Sequence, residues 1–158
     1  MNGKIFDKII LVSLCDKFTR DLGNFLSQNL GMIFCDAKEL VEYELVDKKA
    51  MEELCSVEYL EKSEKKVAKH IASFENVVVS IGYDYLMHNL DILKEKSLIC
   101  FVKLPKSFVK ANGEAINEIA YDARTADLEK ISDVTLSVRK TDVEFVVEKI
   151  ISNLRRFV

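Results

Sequence analysis

The sequence predicts an α/β fold, a three-layer sandwich built around a five-stranded parallel sheet. Three observations carry that expectation. Five short runs rich in apolar and β-branched residues alternate with stretches of helical period, the alternation that βαβ units require. The clearest of these runs are apolar almost throughout, as strands buried on both faces are. Finally, 158 residues contain only five Gly and a single Pro, Pro105. All-β folds consume many turn residues, so this scarcity favours long helices and few tight hairpins.

Each element has its own signal. Residues 8–13 form an apolar run without helical period and predict the first strand. Leu22, Phe25, Leu26 and Leu30 then recur at helical spacing, and Gly31 supplies a stop. A second strand over 32–35 ends at Asp36, and a helix over 37–46 turns Leu40 and Val41 inward. In the charged stretch 47–74, Met51, Leu54, Tyr59, Val67, Ile71 and Phe74 give an inner face for two helices. The run 61–66 reads as a solvated helix surface with i,i+4 charge pairing. Residues 76–82 are the clearest strand, β-branched and bounded by turn residues. A helix over 83–93, a strand over 97–102, a loop or short helix around Pro105 and a helix over 114–123 follow. The last pair is a strand over 133–138 and a helix capped by Thr141 or Asp142, with Val143, Val146, Val147, Ile150, Ile151 and Leu154 on one stripe.

Composition bounds the function. Apolar residues make up 49% and charged residues 31%, and the absence of repeats or linkers predicts one domain over residues 1–158. A net charge of −3, spread along the chain, lacks the positive field that phosphate-backbone binding needs, so nucleic acid is not an expected partner. No apolar run approaches the roughly 20 residues of a membrane span, and no secretory pattern is visible, so a cytoplasmic location away from the membrane is expected. Cys15, Cys35, Cys55 and Cys100 include no C-x-x-C pair and read as buried thiols. His70 and His88 have no partner at ligand spacing, so no metal site is expected. In open parallel sheets ligands bind at the carboxyl ends of strands, which points to 13–21, 36–38, 82–85 and the region after 102.

Those same regions carry a family resemblance. Residues 10–13 followed by Leu22, Gly23 and Leu26 lie without a gap on the first strand, phosphate loop and first helix of the shikimate kinases. Leu30, Phe34 and Asp36 match that family's L-x-x-x-F-x-D strand. Arg124 followed by 131–136 is similar to its R-x-x-x-Y-x-x-x-A-D-x-T-V segment. The chain therefore resembles shikimate kinase, of the P-loop nucleoside-monophosphate-kinase superfamily, over most of its length. The resemblance implies a P-loop-kinase-like fold, ATP with Mg²⁺, and phosphoryl transfer to shikimate.

The defining chemistry does not follow. A P-loop reads G-x-x-x-x-G-K-[ST], with glycines that let backbone N–H groups wrap phosphate, a neutralising Lys, and a hydroxyl on Mg²⁺. In the gapless register those places hold Ser13, Phe18, Thr19 and Arg20, while Asp16 and Asp21 add negative charge. Lys17 and Arg20 are the cations left as replacements, or simply surface charges at a helix start. On the substrate side Asp36 stays but its companion acid is Lys38. The F-R-x-x-E helix lies on residues 59–63, which put Leu60 in the Arg place and Ser63 in the Glu place, and the G-G-G turn keeps only Gly82. Residues 103–112 have no Arg-rich lid, and Arg124 is the one substrate-binding arginine with a matching position. Each lost electrostatic group is worth about 3–4 kcal/mol in the transition state, so kinase chemistry is not expected.

Two further patterns have alternative readings. Cys15 and Arg20 approach the C-x-x-x-x-x-R phosphate loop of cysteine phosphatases but stand one residue too close. Asp36 and Asp84 both end strands, where they either hold a ligand as a pair or cap the following helices. Tyr83, Tyr85 and Met87 form either a lip over the vacated pocket or a partner-binding patch.

The sequence thus reads as a degenerate shikimate-kinase-like protein with no catalytic residues, metal or cofactor. Asp36, Gly82 and Arg124 are its remnant substrate site, and Ser13, Lys17, Phe18, Thr19 and Arg20 its degenerate phosphate loop. It would act by binding a small metabolite or a protein partner, which the resemblance would make an enzyme of aromatic biosynthesis. One alternative is a working shikimate or small-molecule kinase using Lys17, Arg20 and Arg124 with ATP and Mg²⁺. The other is a structural or interaction module whose old pocket is filled by Phe18 and Tyr83.

Overall fold

A computed structural model describes residues 6–49, 57–112 and 116–155. Five parallel strands, β1 (Lys8–Val12), β2 (Ile33–Asp36), β3 (Val77–Ile81), β4 (Ser97–Lys103) and β5 (Val134–Ser137), form one sheet in the order β2-β3-β1-β4-β5. The chain leaves β1 to build β2 and β3 on one side, then crosses to the other side for β4 and β5. That reversal opens a crevice at the carboxyl end of β1, flanked by the ends of β3 and β4.

The register is regular: Ile10 pairs with Val79 on one side and with Ile99 on the other. Strands β1 and β3 are buried along their whole length, and β4 along all but its last residue, which is why their sequences are apolar without alternation. Lys8 is the exception, fully buried at the head of β1. Its Nζ sits 2.8 Å from Asp7 Oδ1 and 3.4 Å from the Glu95 carbonyl, which supply the partners a buried ammonium requires.

Eight helices connect and cover the strands among the described residues. Helix α1 (Asp16–Leu30) buries Leu22 and Leu26 fully and ends at Gly31, whose φ of 66° is the left-handed C-terminal geometry that glycine adopts without strain. Helix α2 (Ala37–Lys49) runs past the expected end at 46, and α3 (Val57–Ser73) follows it. Of the inner face expected across 47–74, Val67 and Ile71 are buried; Met51, Leu54 and the Tyr59 side chain lie outside what is described. The 61–66 run is not uniformly solvated, since Ser63 is buried and Glu64 half-buried.

The helix expected over 83–93 is two pieces, α4 (Tyr83–His88) and α5 (Leu90–Leu93). Asn89 breaks it, its side chain donating to the Tyr85 carbonyl at 3.0 Å. Around Pro105 the chain forms a short helix, α6 (Lys106–Ala111). The helix expected over 114–123 is displaced: α7 spans Glu118–Ile131, started by Asn117, whose Oδ1 accepts the Ala120 N–H at 2.8 Å. Its buried stripe of Tyr121, Thr125 and Leu128 contains a polar residue, which weakened the periodic signal. Helix α8 (Val143–Leu154) is capped by Asp142, as its sequence signals. No described helix is long and apolar enough to cross a membrane.

Candidate functional site

The crevice at the end of β1 is built from a very short connection. Strand β1 ends at Val12 and α1 begins at Asp16, so residues 13–15 are the whole turn. Ser13 Oγ accepts the Cys15 N–H at 3.1 Å and lies 2.6 Å from Thr19 Oγ1. The Cys15 carbonyl accepts both the Thr19 N–H at 3.0 Å and the Thr19 hydroxyl at 3.1 Å. Ser13 and Thr19 are buried, so their hydroxyls and the Cys15 backbone groups are satisfied inward. Lys17, Phe18, Thr19 and Arg20 all stand within α1, in the first turn and at the start of the second.

Helical phase then separates these residues. Phe18 points inward, 6% exposed, and packs edge-on against Phe108 of α6 with ring centroids 5.5 Å apart and planes at 78°. Lys17 and Arg20 point outward, and Arg20 pairs with Glu39 of α2 at 3.2 Å. Cys15 is 1% exposed, so the thiol sits inside the wall of the crevice and not on its surface. The His70 and His88 side chains are exposed, and among the described residues no group of three or more His, Cys, Asp or Glu is placed to hold a metal.

Two adjoining cavities flank Asp16. The larger, about 410 Å³, has Ser13, Leu14 and Asp16 on one wall and Lys38, Val41 and Glu42 of α2 on another. Leu60 and Glu64 of α3, residues 82–85 after β3, and Arg124 of α7 close it. The smaller, about 320 Å³, is lined by Asp16, Lys17, Arg20, Asp21, Asp36, Lys38, Ile81 and Gly82. Gly82 belongs to both, and a Cβ there would lie 3.4 Å from the Asp16 carboxylate oxygens, so that carboxylate presses against the boundary between them.

The structure therefore divides the remnant residues. Arg124 and Gly82 line the larger cavity; Asp36 lines only the smaller one with Gly82. Both Asp36 oxygens are engaged: Oδ1 accepts the Ser80 hydroxyl at 2.5 Å and Oδ2 accepts the Glu39 N–H at 3.0 Å, capping α2. Asp84 lines the larger cavity, so Asp36 and Asp84 are not a pair. Lys17 and Arg20 face one cavity and Arg124 the other.

Tyrosines set the position of Arg124. Its guanidinium stacks 5.1 Å from the centroid of the Tyr83 ring, and the Tyr83 hydroxyl donates to Asp127 Oδ2 at 2.6 Å, one helical turn further along α7. That hydrogen bond to a carboxylate is the main reason the Tyr83 hydroxyl is harder to ionise than usual, ahead of burial. Tyr83 thus ties α7 to the β3 end and leaves the cavity beside it open. Tyr85 donates to the Glu64 carbonyl at 2.7 Å and is also harder to ionise, chiefly through burial. Of the three residues expected as a lip, Tyr83 and Tyr85 line the cavity. The cysteines are partly as expected. Cys100 is buried and Cys35 half-buried, burial pushing both thiols up to about 12, while Cys55 lies outside the described residues.

Sequence reasoning missed Phe108, Glu42 and Glu64. None belongs to a motif, and each reaches its place only because α2, α3 and α6 fold back over the strand ends. The cysteine and carboxylate patterns failed for the opposite reason, since spacing along the chain says nothing of which cavity a side chain enters.

No protein-family model matches the chain, and neither does any curated protein sequence. Solved structures do match. The shikimate kinase from Aquifex aeolicus aligns with a TM-score of 0.74 and 24% identity, over 94% of this chain and 96% of that one. The shikimate kinase from Acinetobacter baumannii, in complex with shikimate, gives 0.69 and 15%, over 96% and 94%. A gluconokinase from Sinorhizobium meliloti gives 0.60 and 15%, over 97% and 94%. The parallel sheet, its strand order and these alignments together give the chain the fold of the shikimate kinases and related P-loop kinases.

Proposed function

We propose that the chain is a shikimate-kinase-like binding protein that transfers no phosphate, and that its larger cavity takes a small carboxylate-bearing metabolite on Arg124. The observation that carries the reading is the β1–α1 junction. A phosphate cradle needs backbone N–H groups turned toward solvent in a glycine-lined loop. Here three residues span the gap, the Cys15 N–H is taken by the Ser13 hydroxyl and the Cys15 carbonyl by Thr19, and Phe18 packs on Phe108. Asp16 in the first turn of α1 supplies the negative charge that a helix N-terminus attracts, where phosphate would otherwise sit. Residues 13–20 do not suit a nucleoside triphosphate with Mg²⁺, and no step through either is derived.

Arg124 supports the second half of the reading. Stacked on Tyr83, it keeps its fork of N–H donors free of any described acceptor while lining a cavity of ligand size. In this reading the partner is a small metabolite in the cytoplasm, with neither nucleic acid nor membrane involved. The kinase alternative is weakened by the separation of Lys17 and Arg20 from Arg124, and the filled-pocket alternative by the open cavity beside Tyr83.

The test is calorimetric titration with ATP and ADP in the presence of Mg²⁺, and separately with shikimate and simple monocarboxylates. The expected result is no heat from nucleotide, and carboxylate binding that weakens at least about tenfold in Arg124→Gln, the value of a charge-assisted bidentate contact. Micromolar nucleotide binding would overturn the reading.

A further inference from the structure

We infer that two copies of this chain join edge to edge through β2, around a two-fold axis beside Phe34, into one continuous sheet. The inference goes beyond the binding reading and does not depend on what the larger cavity holds. Strand β2 ends the sheet, and β3 is its one neighbour among the described strands. The Ile33 N–H donates to the Asn76 carbonyl at 3.0 Å. By alternation Ile33 and Cys35 turn their backbone groups to β3, and Phe34 turns its own outward. The Phe34 N–H and carbonyl have no partner among the described residues. Exposed edges are ordinarily blunted by Lys, Pro or a bulge. Here residues 32–35 are Met, Ile, Phe and Cys in regular register, and Ile33 is 67% exposed. The surroundings match the edge. From Leu22 to Cys35 the chain carries no charged residue, its longest such run although 31% of the chain is charged. Depletion of charge is what the middle of a protein interface shows.

A second copy fits this edge better than an unrelated strand. In an antiparallel pair around a two-fold axis, Phe34 exchanges both backbone hydrogen bonds with Phe34 of its mate. The same axis brings the α1 helices together. Helix α1 rides over β2 and β3, since a Cβ on Gly23 would meet both Phe34 and Ser80. With strands about 4.8 Å apart, the two α1 axes then lie about 10 Å apart, the spacing of packed helices. Arg20 marks the β2 side of α1, because it reaches Glu39 just after β2. Asn24 and Gln28 follow it at four-residue steps, and both are exposed. Gly23 is level with Phe34, so Asn24 meets Asn24 of the mate near the axis, and an amide is donor and acceptor at once. Within its own chain Asn24 Oδ1 has the long contact from Gln28 Nε2 at 3.4 Å, and nothing among the described residues accepts from its Nδ2. One operation thus serves the free backbone groups, the uncharged strip and the exposed amides.

The test is sedimentation equilibrium of the full chain from about 1 to 200 µM, with cysteine crosslinking to locate the contact. A concentration-dependent dimer is expected. Asn24→Asp sets two carboxylates face to face at the axis, and Ile33→Glu puts charge into the apolar seam. Each should weaken dimerisation at least about tenfold. Both positions are exposed, and circular dichroism checks that the fold is kept. Asn24→Cys should form an intermolecular disulfide on mild oxidation beyond the parent's baseline, since helices at that spacing bring facing Cα atoms to about 5 Å. Asn29→Cys, exposed on another face of α1, should not. A chain that stays monomeric across the range overturns the inference. So does a dimer that ignores both charged substitutions, or equal crosslinking from positions 24 and 29, because another face must then hold the copies together. Any of these results leaves the carboxylate-binding reading standing, since titration of the cavity decides that separately.

Discussion

Phe18→Ala tests whether position 18 belongs to the core or to a loop that lost its glycine. The side chain is 6% exposed and meets Phe108 edge-on at 5.5 Å. Burial of a phenylalanine is worth about 1.5–3 kcal/mol from transfer alone, and the cavity left behind raises the cost of Phe→Ala to about 3–5 kcal/mol. Phe108 is half-buried on the short α6, so it can relax into part of the space, and the lower end of that range, about 3 kcal/mol, is expected. The edge-on contact itself should appear as a coupling of about 1 kcal/mol between Phe18→Ala and Phe108→Ala. Urea unfolding of the parent, both single variants and the double variant supplies the cycle. A loss below about 1 kcal/mol in Phe18→Ala, with no coupling, would refute the argument. It would mean that the ring leaves its place at little cost, and that the β1–α1 junction opens as a phosphate loop does. Nucleotide affinity gained in Phe18→Ala would point the same way.

Two further outcomes follow from the packing. Gly31→Ala should cost about 1 kcal/mol because φ is 66° there, although the space around it is open. Gly23→Ala should cost a similar amount for a steric reason: its Cβ would fall 2.7 Å from Phe34 Cε1, and the overpacking penalty of about 1–3 kcal/mol is only partly offset by better helix propensity. A thermal melt in which either variant is stabilised would contradict this. Stability should also fall in alkali. Cys100 and Cys35 titrate near 12 in the folded chain against 9.0 when exposed, so the folded state holds its protons while the unfolded state loses them. The stabilisation is complete below pH 9 and is lost on rising from 9 towards 12, by about 1.4 kcal/mol per pH unit for each thiol. Cys100→Ala should flatten that slope; an unchanged slope would assign the effect elsewhere.

The sheet was legible because its code is local. Residues 9–12, 77–79 and 98–102 are apolar on both faces, the pattern of a covered parallel strand. The last helix was legible for the same reason, with an aspartate cap and an unbroken apolar stripe. The start of α7 was not, because Asn117 caps it after a stretch that looks equally helical, and because Thr125 stands among its buried residues. The site was harder still. Gly82 and Arg124 were found through a motif and do share a cavity, whereas Asp36, found the same way, spends both oxygens on Ser80 and the α2 backbone. Glu42 and Glu64 carry no sequence signal at all, since they reach the larger cavity only where two helices meet over it.

On the proposed reading the loss of phosphate chemistry is not one missing lysine but a change of phase. The gapless register sets the kinase lysine on Thr19, a position 1% exposed whose hydroxyl is held by Ser13 and Cys15. A lysine there would enter the core beside the Ser13 hydroxyl and the Cys15 carbonyl, which offer an ammonium no counter-charge. Two outward cations remain close by, Lys17 and Arg20. Both lie on the far side of Asp16 from Arg124, and Arg20 is paired with Glu39. Recovering a phosphate site would require rebuilding the turn from Ser13 to Asp16 so that α1 starts later, because the short turn fixes which helical positions face inward. The same short turn seats Asp16 against Gly82, at the boundary between the two cavities.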